Sequence, residues 1–487
     1  MRRYLKVFAW LVVYSIQLSF QSCTTTTEDN SLIIHNVTLI DAKNGQQKAM
    51  SIRIEENKIT EVTASTNIKI AGGATVIDGT GKYLIPGLWD AHIHLTYNNN
   101  LTPVMFDLFL KYGITSVRDT GGELDLVLPL KEIADKSPKN TPRVKISGPL
   151  LDGIPTVYDG ANPRVPKLGI GLKSVEDAKR QIDELAESGV DFLKVYEMLS
   201  PEVFNAILKQ ADSLGLPVTG HVPLSIDAIT ASKSGMRSME HLRNLEMAFT
   251  KDWDSLLKVR QKMLLDGVSK SGGKLRANIH AAQRAYALEN SDEAQKKLVL
   301  DQLDENEVWQ VPTLNIMTVA SLRFFGTDEW KATFDELPDS VSIGWKERLE
   351  RYLKSPINEE MATYGEWMLQ MIKTLKEANV PIMAGTDTPI FFLTPGYSLH
   401  EELALLVKGG LTPLEALDAA TLQPAKYFNM ENELGTIEKG MLADLVLLNA
   451  NPIENIRNTT NIKAVIKDGK LHNQKALDSI SNRLKSL

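Results

Sequence analysis

Short apolar segments alternate with amphipathic helical patterns through the middle of this 487-residue chain, and few architectures fit that alternation. Helical stretches such as 174–189 and 201–215 carry acidic residues early and glycine at the end, as helix capping predicts. Eight parallel strands separated by helices favour a TIM-type (β/α)8 barrel of the α/β class, with its active site at the carboxyl ends of the strands. The predicted strands are 84–94, 113–122, 143–151, 191–198, 216–223, 238–242, 308–315 and 380–387.

Strand-like segments also occupy both ends of the chain. Short β patterns separated by Gly, Asn and Asp fill residues 31 to 80, and the C-terminal segment repeats that character. Since chain ends often meet outside a central domain, both ends are predicted to form one small β-sandwich. The predicted boundaries are 1–23 for a signal peptide, 24–30 for a tether, 31–83 and 431–487 for the sandwich, and 84–430 for the barrel.

Four of the eight histidines fall at the ends of predicted strands, where barrel side chains converge. His92 and His94 lie two residues apart on one strand, so both side chains point to the same face. A pair so placed can bind one metal ion, and His221 and His241 end two further strands. The remaining histidines are predicted to be structural or to lie on the surface: His35, His280, His400 and His472.

Three motifs make this pattern specific: PGLWDAHIHL at the first strand, AGTDTP at the last, and LGTIEKGMLADLVLLNANP after it. With these motifs the chain resembles the amidohydrolase superfamily over residues 31–469. The segments GLPVTGHVP and TPLEALDAATLQPAKYF are most similar to its imidazolonepropionase-like and prolidase-like branch. The resemblance implies a metal-dependent hydrolase of C–N bonds on a (β/α)8 barrel.

The resemblance also implies a metal centre with ligands from several strands. The expected cofactor is zinc, two ions per chain, with other divalent metals as alternatives. The ligands of the more buried ion would be His92, His94 and Asp387, and those of the second ion His221 and His241.

Lys194 would bridge both ions, by the same resemblance, as a carbamate formed with carbon dioxide. That reaction needs a neutral amine, and burial beside two cations disfavours the ammonium form. Some relatives carry Lys-X-X-X-Ser-Gly-Gly at this strand, whereas this chain has Lys-Val-Tyr-Glu-Met-Leu. A salt-bridged lysine at a strand end is the alternative interpretation.

The expected chemistry follows from the metal. A zinc ion lowers the pKa of bound water to about 7, and the resulting hydroxide would attack a carbonyl group. Asp387 would take its proton and deliver it to the departing nitrogen. Tyr196 lies two residues after Lys194, on the same face, and is placed to donate a hydrogen bond to the oxyanion; a core tyrosine is the alternative. Asp90 either orients the ring of His92 or is structural.

Several functions remain in competition. Dipeptides or related acyl-amino acids are the preferred substrates, with ring opening of a cyclic amide, as by an imidazolonepropionase, second. A mononuclear deaminase is disfavoured, because deaminases of this fold carry His-X-X-Glu at strand five and here Leu224 stands three residues after His221. A surface lipoprotein that only binds a ligand is the non-enzymatic alternative. The sequence is compatible with a monomer and with a homo-oligomer.

Residues 1–23 resemble the signal peptide of a bacterial lipoprotein. Basic residues precede an apolar run, Val7 to Phe20, that is short for a membrane span, and Cys23, the single cysteine, follows it. We expect a lipid anchor at Cys23 and a place in the bacterial cell envelope, at the outer membrane or facing the periplasm; an ordinary secretory signal peptide is the alternative. The formal charge of -7, without long basic runs, predicts no nucleic-acid partner.

Overall fold

A computed structural model describes residues 29–163 and 165–484, without the side chains of residues 481 and 482. The predicted signal peptide and its lipidation site, Cys23, lie outside the described residues. Within the described ranges, no helix combines the length and the apolar character needed to cross a membrane.

The strands of the described chain form three sheets. In chain order they are β1 (Leu32–Asp41), β2 (Gly45–Glu55), β3 (Lys58–Ala64), β4 (Thr75–Asp78), β5 (Tyr83–Pro86), β6 (Leu88–Ile93), β7 (Ile114–Asp119), β8 (Arg143–Ile146), β9 (Leu150–Asp152), β10 (Gly169–Gly171), β11 (Leu193–Val195), β12 (Val218–Gly220), β13 (Met236–Glu240), β14 (Trp309–Val311), β15 (Leu445–Leu448), β16 (Ile462–Lys467) and β17 (Lys470–Asn473).

Helices follow most of the central strands, and two begin as their sequences predict. The hydroxyls of Ser174 and Ser200 accept hydrogen bonds from backbone N–H groups in the first turns of the helices that follow them. In chain order the helices are α1 (Met105–Lys111), α2 (Leu124–Lys136), α3 (Val175–Glu187), α4 (Pro201–Ser213), α5 (Ala228–Lys233), α6 (Leu245–Ala248), α7 (Trp253–Asp266), α8 (Gly272–Glu289), α9 (Glu293–Glu305), α10 (Leu314–Met317), α11 (Val319–Leu322), α12 (Asp328–Thr333), α13 (Asp339–Lys354), α14 (Glu359–Glu377), α15 (Tyr397–Gly409), α16 (Pro413–Ala419), α17 (Leu422–Tyr427) and α18 (Gln474–Leu484).

One sheet joins the two ends of the described chain. Its order is β17-β16-β15-β5-β1-β2-β3, and β4 also pairs with β1. The junction is β5, which runs parallel to β1 and antiparallel to β15. Strands from both ends therefore share a single connected sheet, and its arrangement as a two-sheet sandwich remains a prediction.

The central strands form two parallel sheets of the kind expected for a barrel, in the orders β6-β7-β8 and β10-β9-β11-β12-β13-β14. The eighth predicted strand, 380–387, is not a regular strand in the structure. Isolated parallel bridges join Ile382 to Gln310 and Thr388 to Ile93, so this segment lies between β14 and β6 without a continuous ladder.

Candidate active site

One cavity of about 270 Å³ lies at the carboxyl ends of the parallel strands. The site residues predicted from the barrel segments all contribute to its wall. They are His92, His94, Lys194, Tyr196, His221, His241 and Asp387.

Asp387 lies against both histidines of the first barrel strand. Its Oδ1 atom is 3.3 Å from His92 Nε2 and 3.1 Å from His94 Nε2. The backbone N–H of Asp387 donates to the carbonyl of His92 at 2.7 Å. Gly385 makes this approach possible, since a Cβ there would lie 2.7 Å from the Cβ of His92. Among the described residues, these three side chains form the only group of histidines, cysteines and acids close enough to hold a metal ion.

Hydrogen bonds fix the proton positions on the first two rings. His92 Nδ1 lies 2.5 Å from Glu240 Oε2, and His94 Nδ1 lies 2.9 Å from the carbonyl of Gly121. Both partners are acceptors, so each Nδ1 donates, and a neutral ring then keeps a lone pair on Nε2. Burial lowers the pKa of His94, but the hydrogen bond and the negative charge of Asp387 raise it overall, and a metal ion would take the place of that proton. His92 Nε2 and Asp387 Oδ1 are buried and have no hydrogen-bond partner among the described residues, so a cation is expected between the rings and the carboxylate. The set of side chains therefore fits a metal ion.

The other two rings have the same tautomer. His221 Nδ1 lies 2.6 Å from Glu197 Oε1, and His241 Nδ1 lies 2.6 Å from Thr313 Oγ1. The Thr313 hydroxyl donates to the carbonyl of Pro312 at 2.7 Å, so it accepts from His241. Burial lowers the pKa of both rings well below the usual range, which keeps them neutral. Neutral imidazoles with free Nε2 lone pairs are the form that binds metals.

Lys194 is the central residue of β11 and is 1% exposed. Burial lowers the pKa of its ammonium group to about 8, although the negative charge of Glu240 acts in the opposite direction. About a tenth of the amine is therefore neutral at pH 7, far more than for an exposed lysine, and the neutral amine is the form that reacts with carbon dioxide.

Two site residues have left-handed backbone conformations. His241 has φ 61° and Asp387 has φ 69°. Residues other than glycine seldom adopt this conformation, and where they do, they concentrate at functional sites. His241 follows β13 directly, and the strained turn places its side chain in the cavity wall.

A sequence profile of the amidohydrolase family matches residues 83–472, which is most of the chain. This chain belongs to the amidohydrolase family. The match contains every barrel residue described above, so the sequence-based prediction of an enzyme of this family is confirmed.

Individual relatives of this amidohydrolase are distant. Adenine deaminase from Lactobacillus delbrueckii subsp. bulgaricus is 26% identical over 200 residues, which are 39% of this chain and 34% of that protein. A solved Xaa-Pro dipeptidase with bound methionine has a TM-score of 0.65 and 20% identity over 91% of this chain and all of that one. The bottromycin amidohydrolase has a TM-score of 0.69 and 22% identity, covering 93% and 90%. The chain thus spans about a third of the deaminase's length, and the solved structures show a common TIM-barrel type fold.

The ring of His92 is held in this amidohydrolase by Glu240 rather than by Asp90. Arg118 Nη2 donates to Glu240 Oε1 at 2.8 Å, and both side chains are fully buried. The Asp90 carboxylate instead accepts from the hydroxyl of Thr386 at 2.7 Å and from its N–H at 3.0 Å. Asp90 therefore ties the eighth segment to β6, while Glu240 orients the ring, a role that the sequence analysis missed.

A second support, for His221, was also missed. The fully buried Glu197 binds His221 through Oε1 and His280 Nε2 through Oε2 at 2.7 Å. His280, on α8, was predicted to be structural or superficial. The structure shows the structural alternative and not the surface one: His280 is 5% exposed and contacts the residue that orients a candidate ligand. The contact joins residues 83 positions apart, so no local pattern could reveal it.

His280→Asn is expected to weaken metal binding by roughly 10-fold, at the low end of the cost of removing a direct partner of a ligand, because His280 acts through Glu197. Glu197 would lose one of its two imidazole donors and would hold His221 less firmly. The measurement is a competition titration of bound metal against a chromogenic chelator.

The matched control is His400→Asn, since His400 is equally buried but bonds Thr459 and the carbonyl of Tyr112 outside the cavity. This variant is expected to lose stability and to retain wild-type metal affinity. If the His280 variant bound metal as tightly as wild type, His280 would not help Glu197 to hold His221.

A larger cavity, of about 500 Å³, lies at the opposite ends of the strands. Its wall includes Lys209, Arg237 and Asn429 and comes from the segments that precede β12 and β13. It contains none of the residues of the described metal-binding group. Active sites of such barrels lie at the carboxyl ends of the strands, so the smaller cavity is the candidate site.

Proposed function

We propose that this amidohydrolase is a metal-dependent hydrolase that cleaves the amide C–N bond of dipeptides or related acyl-amino acids. One observation carries the proposal: four histidines around one cavity are hydrogen-bonded through Nδ1, which leaves each Nε2 available to a metal ion, and Asp387 faces two of them. Such a donor set matches the nitrogen and oxygen ligands that zinc prefers. The four histidines are His92, His94, His221 and His241.

Two divalent ions, zinc for preference, would be held by these residues in two groups. His92, His94 and Asp387 would hold the more buried ion, and His221 and His241 the second. Lys194, as a carbamate, would bridge them. Such ions supply Lewis-acid chemistry and make hydroxide available near neutral pH.

The protein's own groups have separate tasks in this proposal. Asp387 accepts a proton from the attacking water and returns it to the departing nitrogen. Arg276 Nη1 donates to the Tyr196 oxygen at 2.6 Å, which leaves the phenol proton free to be donated. Tyr196 uses that proton in a hydrogen bond to the oxyanion that develops on the carbonyl. Glu240 and Glu197 hold the histidine rings in orientation.

Deamination is the second candidate, and the similarity to adenine deaminase favours it. Against it stands the residue three positions after His221, where a glutamate is expected in deaminases of this fold. That residue is Leu224, which is fully buried and cannot donate a proton. Ring opening of a cyclic amide is a third candidate that uses the same metal centre.

The test is incubation of the zinc-loaded protein with dipeptides, N-acyl amino acids, cyclic amides and adenine. We expect release of free amino acids from the first two classes and loss of that activity after dialysis against a chelator. Ammonia from adenine without peptide cleavage would contradict the proposal and establish the deaminase alternative.

We also propose a cellular placement and a domain plan that rest on the sequence. Residues 1–23 would be removed as a signal peptide, and lipid on Cys23 would anchor the enzyme in the bacterial cell envelope. Residues 24–30 would form the tether. The barrel, 84–430, would close through its eighth segment, and both chain ends would form the sandwich.

A further inference from the structure

Two arginines that the sequence analysis left without a role stand in the wall of the active-site cavity. Arg243 lies two residues after His241, in the turn that follows β13. Arg276 belongs to α8, the helix that also carries His280. Both side chains are mostly buried, with exposed fractions of 17% and 21%.

The two guanidinium groups share a single carboxylate. Arg243 Nε and Arg276 Nη1 each lie 3.6 Å from Glu197 Oε1, beyond the length of a good hydrogen bond. Closer partners already occupy both carboxylate oxygens, namely His221 on Oε1 and His280 on Oε2. One negative charge therefore faces two positive charges, and the cluster keeps an excess positive charge at the cavity wall.

The two arginines differ in their hydrogen-bond partners. Arg276 is held by the hydroxyl of Tyr196 at 2.6 Å and lies over the rings of Tyr196 and Tyr158. Arg243 Nε is buried and has no hydrogen-bond partner among the residues that the structure describes. This charged donor faces Glu197 but has no good hydrogen bond, so a bound group that accepts hydrogen bonds is expected at the guanidinium.

The wall of this cavity also contains apolar side chains. Ile316, Met317 and Met361 line the same cavity. A ligand that matches this wall carries an anionic group at one end and an apolar body, and the metal-binding side chains lie in the same small space. Methionine side chains adapt to ligands of different shape, so this part of the wall can accept apolar side chains of several sizes.

We propose that Arg243 and Arg276 bind the free carboxylate of the substrate, and that the apolar wall accepts the adjoining side chain. This inference rests on the proposed function and deepens it: the preferred substrates are dipeptides or acyl-amino acids with an unblocked C-terminal carboxylate and an apolar C-terminal residue. Two guanidinium groups suit a carboxylate because their N–H donors match its two oxygens. Adenine and neutral cyclic amides lack this group.

The experiment compares matched compounds on the zinc-loaded full chain. N-acetyl-leucine and N-acetyl-leucinamide differ only in the C-terminal carboxylate. We expect the acetamide bond of N-acetyl-leucine to be hydrolysed with a kcat/KM roughly 10- to 100-fold higher than that of N-acetyl-leucinamide. This is the range for a charge-assisted hydrogen bond. Binding of leucine and leucinamide, measured by thermal shift, provides a readout that needs no turnover.

Variants assign the preference to the arginines. Arg243→Met should reduce the carboxylate preference to within about threefold of unity, whereas Arg243→Lys should retain part of it because the charge remains. The control is Arg348→Met, an exposed arginine on the same face that lines a neighbouring cavity instead. This control should keep the wild-type preference. Melting temperatures identify any variant that fails to fold, and the comparison in wild type stands without variants.

The outcomes separate the two proposals. Equal hydrolysis and equal binding of the carboxylate and the carboxamide by wild type would overturn the inference while the amide hydrolase proposal stands. Preferential binding of leucine without hydrolysis of any amide would contradict the proposed function and support the carboxylate subsite. A preference that persists in Arg243→Met and Arg276→Met would also overturn the inference.

Discussion

Asp387→Asn is expected to lower kcat/KM by at least about 10³-fold with the fold intact, since proton transfer alone contributes about 10²- to 10⁴-fold. Asparagine keeps the size of the side chain and tolerates the left-handed backbone found at this position. It removes the negative charge that faces His92 and His94 and the group that takes a proton. The measurement is steady-state hydrolysis by zinc-loaded wild type and variant.

Asp41→Asn is the matched control for this prediction. Asp41 is also buried, but it lies at the end of β1, in the sheet that joins the two chain ends, away from the cavity. Its carboxylate accepts hydrogen bonds from the backbone N–H groups of Asn44 and Ile437. It is expected to alter the melting temperature and to leave kcat/KM per folded molecule unchanged. Normal turnover by the Asp387 variant would remove Asp387 from the mechanism.

Lys194→Ala is expected to cost activity on a similar scale, about 10²-fold or more, because the anion between the two metal groups would be lost. Bound metal should fall from about two to about one per chain. The alanine leaves space where the carbamate would lie. Acetate or propionate should therefore restore activity by about tenfold, since a small carboxylate supplies the same two oxygen donors.

Lys467→Met is the control for chemical rescue. Among the described residues, Lys467 is the other fully buried lysine, and it forms an ion pair with Asp444 at the sheet that joins the two chain ends. Its replacement should lower stability, and added carboxylic acids should not change activity per folded molecule. If wild-type metal content and activity persist in Lys194→Ala, Lys194 is structural and the bridging carbamate is wrong.

The sequence predicted the positions of the strand ends well because strand patterns have a local origin. Seven of the eight predicted barrel segments contain regular strands, and the candidate ligands at their ends line one cavity. The eighth segment differs because its backbone conformation is determined by tertiary contacts. Its left-handed Asp387 and the contacts of Gly385 with His92 depend on a partner strand almost 300 residues earlier.

The side chains that orient the ligands could not be predicted from one sequence. The His94 ring is held by the backbone carbonyl of Gly121, and every residue type has such a carbonyl. Glu197 and Glu240 look like ordinary strand residues until the fold brings the histidines to them. Arg276 reaches the cavity from a helix that no motif marked as functional.

The proposed metal centre is tested most simply by the number of metal ions per chain. Protein produced without residues 1–23 is reloaded with zinc, and its metal content is measured by elemental analysis. We expect about two zinc ions per chain in wild type and a clear loss in a variant that replaces His92 and His94 by alanine. Peptidase activity should follow the metal content. Protein that retains no zinc after reloading, or that hydrolyses its substrates equally well without metal, would contradict the central claim.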